Sequence, residues 1–89
     1  MPGGDRPREA AYQMDKSVLY SRSREEWEHV INQRIFNERD RWLLTRRLLD
    51  GLTYDQLTTE YQARYSIPLE YDQVRRRVKA AEQIILSFI

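Results

Sequence analysis

The sequence predicts an all-α fold, and three observations carry that expectation. Apolar residues recur at helical spacing in four consecutive stretches. Helix-capping residues stand at the heads of those stretches. Nowhere does hydrophobicity alternate with period two over a useful length, which a half-buried strand requires. The 89 residues suffice for one small domain with a tail, and 40% hydrophobic with 33% charged residues is a globular composition. There is no cysteine, which excludes disulfides and thiolate metal sites. The apolar runs are too short to cross a bilayer, and "MPGGDRPREAA" carries no apolar signal segment. A soluble cytoplasmic protein is the expectation.

Residues 1–22 read as a flexible leader, because residues 1–11 hold two of the three prolines and two of the three glycines. A weak apolar pattern over Tyr12, Met14, Val18, Leu19 and Tyr20 allows a short helix there. The domain proper is expected over residues 23–89, as four helices. In the first, "SREEWEHVINQRIF", Ser23 and Glu26 form a capping box, and Trp27, Val30, Ile31 and Ile35 share a face. The second, "NERDRWLLTRRLLDG", has Asn37 as N-cap, acids in its first turn and Gly51 as its left-handed stop. Leu44 and Leu48, with Trp42 or Leu49, are expected to be its buried stripe, and Trp27 and Trp42 to pack between these two helices. The third, "TYDQLTTEYQARY", opens on a Thr53/Gln56 capping box and carries Tyr54, Leu57, Tyr61 and Tyr65 on one side. Only Gly51-Leu52-Thr53 separates it from the second, a spacing typical of a helix-turn-helix. Pro68 in "SIPLE" ends it and drives Ile67 to extended backbone.

The fourth helix, expected over about 70–87, contains "QVRRRVKAAEQII". With roughly 100° per residue and Val74 at the centre of the buried side, Val78, Ala81, Ile85 and Phe88 lie near it. Asp72, Arg75, Arg76, Lys79 and Gln83 point away, and Arg77 falls on the flank, where its stem packs and its head reaches out. An unbroken polar face on a helix that follows a short-turned partner suits insertion into the DNA major groove. In that geometry Asp72 accepts from a cytosine amino group, Gln73 and Arg76 reach purine edges, and Arg75, Arg77 and Lys79 hold phosphates. The plain alternative is a solvated face, with Glu82 pairing Lys79. The formal net charge of +1 argues against an indiscriminate polyanion binder but leaves room for charge clustered on one face.

The stretch "NERDRWLLTRRLLDGLTYDQL" resembles region four of bacterial sigma factors. It resembles still more the small region-four-like helix-turn-helix proteins of phages and mobile elements. Glu38-Arg39-Asp40-Arg41 match the start of that pattern, Asp50-Gly51-Leu52-Thr53-Tyr54-Asp55-Gln56-Leu57 its turn and next helix, and "YDQVRRRVKAAEQII" its recognition helix. The resemblance covers most of residues 27–88, although this chain has a longer connection between Tyr54 and Val74. It implies a sequence-specific transcription regulator that binds double-stranded DNA. By position it assigns base contacts to Asp72, Gln73, Arg75 and Arg76. It assigns phosphate contacts to Arg47, to Thr53 and Tyr54 at a helix N-terminus, and to Arg77 and Lys79. Leu44, Leu48, Leu52, Leu57, Tyr61, Val74 and Val78 match the core.

No catalytic constellation, phosphate loop or metal-ligand set is legible, so neither an enzyme nor a cofactor is expected. The one histidine, His29, has carboxylates at helical reach but lacks the three or four ligands of a metal site, and a surface role is expected. The competing functional class is a protein-interaction adaptor, with RNA polymerase or a phage component as partner. The apolar ending "IILSFI" exceeds what one small core covers, which suggests a homodimer contact or a fold-back onto the first helix or the Tyr12–Tyr20 segment.

Overall fold

The protein, described here over residues 16–88 of a computed structural model, is a bundle of five helices: α1 Lys16–Leu19, α2 Arg24–Arg34, α3 Glu38–Leu48, α4 Tyr54–Tyr65 and α5 Tyr71–Phe88. The expected all-α class holds, with no strand among the described residues. Most of the predicted leader, with Tyr12 and Met14, lies outside the described residues, as does Ile89. The short helix anticipated in the leader is α1. Its Val18 and Leu19 pack against the core, and the Leu19 carbonyl accepts the Trp27 indole N–H at 2.8 Å. The packed unit thus starts ahead of Ser23.

Local chemistry sets the helix boundaries. At α2 the Ser23 hydroxyl accepts from the Glu26 N–H while the Glu26 carboxylate accepts from the Ser23 N–H. The Thr53/Gln56 pair does the same at α4. At α3 the Asn37 side chain accepts from the Arg39 and Asp40 N–H groups. Each such cap satisfies donors that a helix start leaves without an intrahelical partner. Gly51 follows α3 with φ +73°, backbone that glycine adopts without the steric cost of a Cβ. The α2–α3 turn is clamped by Arg41, whose Nη1 donates to the Ile35 and Phe36 carbonyls at 3.0 and 3.2 Å.

The core collects Trp27, Val30, Ile31 and Ile35 from α2 and its C-cap, Leu43 and Leu44 from α3, and Leu57 and Tyr61 from α4. From α5 come Val74, Val78, Ala81 and Ile85, the phase predicted by the 100° rule. Helix α5 is the central element, packed against α2, α3 and α4. The sequence reading needs three corrections here. Leu43, which it passed over, is fully buried, whereas Leu48, Leu49 and Leu52 are only partly covered. Trp42 faces α4 rather than α2: its ring lies 6.1 Å from that of Tyr61 and 5.8 Å, edge-on, from that of Tyr65. Phe88 leaves the core and is 41% exposed, because α5 continues past the last layer its neighbours cover.

A carboxylate joins three helices. Asp50, just past α3, accepts from Arg24 of α2 at 2.8 Å and from Arg46 of α3 at 2.9 Å, and Arg46 continues to Glu60 of α4 at 2.6 Å. The Arg24 hydrogen bond, helped by that of Arg46, holds the Asp50 carboxyl below its ordinary value against the opposing cost of partial burial. A carboxyl whose folded-state pKa is lowered stabilises the fold above its unfolded value and loses that contribution as the pH falls through the folded one. Asp50→Asn is therefore expected to cost about 0.5–1 kcal/mol at neutral pH, as suits pairs near the surface. The gap from the parent should begin to narrow as the pH drops below the ordinary aspartate value of about 4 and should close only as the pH passes through the lowered folded-state value. Urea midpoints at a series of pH values measure this, and a constant gap down to pH 2 would contradict it.

Candidate nucleic-acid interface

The nine residues singled out from the sequence fall into two groups once the helices are packed. Asp72, Gln73, Arg75 and Arg76 occupy the first turns of α5, and all four are exposed. Arg75 and Arg76 make no ion pair and no side-chain hydrogen bond among the described residues. Gln73 is partly engaged, since its Oε1 accepts from the Glu70 N–H at 2.9 Å and so caps α5. Its amide N–H groups make no hydrogen bond among the described residues, and the residue is exposed. One end of α5 thus presents an acceptor, an amide and two guanidinium groups to solvent.

The second group is committed inside the chain. Arg77 donates to Asp40 of α3 at 3.0 Å, a contact that ties α5 to α3 beside the core. Lys79 lies 3.9 Å from Glu82, a carboxylate that is buried on α5, where the sequence had placed a surface pair. Arg47 donates to the Leu52 carbonyl at 2.7 Å and lies 4.3 Å above the Tyr54 ring, bracing the α3–α4 turn. Thr53 spends its hydroxyl on the α4 capping box, leaving the Tyr54 and Asp55 N–H groups as the free donors of that helix start.

The long connection between α4 and α5 does not splay them apart. Ser66 ends α4 in left-handed backbone, φ 54°, and the Gln62 side-chain amide donates to the Leu69 carbonyl at 2.8 Å across the turn. The Leu69 N–H donates to the Ile67 carbonyl around Pro68, and Ile67 and Leu69 both pack on the core. Tyr71, the first residue of α5, sets its ring edge-on to that of Tyr54 at 5.8 Å. This joins the first turns of α4 and α5 next to Arg47. Tyr71 is exposed enough to belong to the same surface, and the sequence reading missed it. Its signal was its place immediately before Asp72, on the flank of α5 rather than in the buried stripe.

His29 is exposed, and no group of histidine and acidic side chains suited to a metal ion occurs among the described residues. Nor is any described helix long and apolar enough to cross a membrane. Comparison of the chain with protein-family models, with curated proteins and with solved structures finds no match.

Proposed function

We propose that the protein is a sequence-specific DNA-binding regulator of helix-turn-helix type that sets the first turns of α5 in the major groove. One observation carries the reading. Among the described residues most arginines are held by acids, carbonyls or aromatic rings, whereas Arg75 and Arg76 are exposed and, like the half-covered Arg39, have no such partner; the two stand on a helix braced from behind. An unpaired guanidinium on a rigid helix loses little on docking and matches the two acceptors of a guanine edge. Asp72 and Gln73 add an acceptor and a donor for neighbouring bases. The Tyr54 and Asp55 N–H groups at the start of α4 suit a flanking phosphate, and Arg47 can add to it only through the guanidinium N–H groups that its bond to the Leu52 carbonyl leaves over. Arg77 and Lys79 reach phosphate only by sharing their present carboxylate partners. The pattern of the region-four-like regulators of phages and mobile elements agrees with this assignment. No catalytic step and no cofactor enters it.

Titration of fluorescent random-sequence duplex DNA at two salt concentrations tests the reading. With three or four phosphate contacts, log K is expected to fall with log salt at a slope of about −3 to −4. Absence of binding at low salt, or a salt-independent interaction, would reject it and favour a protein adaptor.

A further inference from the structure

Where α3, α4 and α5 meet, three side chains stack in a row. Arg47, tied to the Leu52 carbonyl at 2.7 Å, lies 4.3 Å over the Tyr54 ring, and Tyr54 meets the Tyr71 ring edge-on at 5.8 Å. The row ends at the surface. There Tyr71 is 43% exposed, and its hydroxyl makes no hydrogen bond among the described residues. The ring contact needs no hydroxyl, and phenylalanine would make it as well. The hydroxyl stands on a ring already held by Tyr54, so little rotamer freedom is lost when it binds.

We infer that the Tyr71 hydroxyl donates to a phosphate of the DNA backbone, on the groove wall that lies toward α4. This contact rests on the DNA reading above and adds a residue to it. An α-helix with its side chains is about 10–12 Å across, and the major groove is about 12 Å wide. A helix that fits so closely turns one side to the bases on the floor and its two flanks to the phosphates of the walls. Phosphate contacts of this kind set orientation and carry no sequence information.

The phase of α5 puts Tyr71 on a flank. At roughly 100° per residue it lies about 100° round the helix from Asp72 and about 140° from Arg76, which face the floor. Its contact with Tyr54 marks that flank as the one toward α4, whereas Arg77 leaves the opposite flank for Asp40 of α3. Arg75 is only about 40° from Tyr71 and shares its side. Arg47 borders the same Tyr54 ring, so a charged donor and a hydroxyl donor address one wall.

Fluorescence anisotropy of the full chain tests this through Tyr71→Phe, which keeps the ring on Tyr54. Two duplexes are used, one selected from a random pool and one unrelated. Tyr71→Phe should weaken binding to both by the same factor, about 5- to 20-fold, with the thermal midpoint unchanged. The salt slope should also stay, because a hydroxyl brings no charge and releases no counterion, whereas a lost charged contact would lower it by about one. A scan of single methylphosphonate linkages, each removing one charged oxygen from the backbone, should find one position at which the parent and Tyr71→Phe bind equally. Parent-like affinity in Tyr71→Phe would overturn the contact and leave the DNA reading in place. So would a loss confined to the selected duplex, or a scan with no position of equal binding. A parent that binds neither duplex would reject the DNA reading, and the contact would fall with it.

Discussion

Arg76→Ala should weaken binding to the preferred duplex by about 5- to 150-fold, the equivalent of about 1–3 kcal/mol, and flatten base preference at one position. The preferred duplex is first obtained by selection from a random pool. Binding to unrelated duplex should change far less, because a base contact adds to discrimination rather than to the phosphate term. The thermal midpoint should not move, since Arg76 makes no ion pair or side-chain hydrogen bond among the described residues. Arg77→Ala supplies the contrast: it breaks the 3.0 Å pair with Asp40 and is expected to lower stability as well as affinity. Unchanged affinity and specificity in Arg76→Ala would remove that residue from the interface and take the strongest support from the proposed function.

The largest effect on folding is expected at Tyr61. Its side chain is fully buried, with its ring tilted against those of Trp42 at 6.1 Å and Tyr65 at 4.9 Å. Tyr61→Ala should cost about 3–5 kcal/mol, from lost burial and the cavity left behind. In a domain this small that approaches the whole stability, and largely unfolded protein is the expected result. Tyr61→Phe should behave differently. Among the described residues the Tyr61 hydroxyl finds no hydrogen-bond partner, so removing it forfeits no such bond and ends the cost of burying it. Chemical denaturation should place Tyr61→Phe within about 1 kcal/mol of the parent or above it. A large loss in Tyr61→Phe would mean that the hydroxyl has a partner.

The contrast between these two sites shows what a sequence discloses. The caps at Ser23, Asn37 and Thr53 were legible because each is settled within three residues. The left-handed Gly51 and the stop before Pro68 are equally local. The phase of α5 followed from periodicity, and with it the exposure of Asp72, Arg75 and Arg76. Pairings between helices could not be read. Arg77 meets Asp40 across 37 residues, and Arg24 meets Asp50 across 26. Trp42 turned to α4 for the same reason: which neighbour a helix face meets depends on how the helices cross, and no local pattern encodes that. Phe36 was overlooked because it belongs to no apolar stripe, yet it is the most exposed large apolar side chain of the described residues.

The way arginine and acid are tied together inside the bundle bears on the speed of recognition. Charges that cancel within the molecule cast little field beyond the Debye length of about 8 Å in physiological salt. On the DNA reading, such a protein is not drawn to the duplex from afar. Its association should proceed at the unsteered rate of about 10⁵–10⁷ M⁻¹s⁻¹, leaving discrimination between sites to how long each complex survives. It would search by repeated brief touches and settle only where Arg75 and Arg76 find their acceptors.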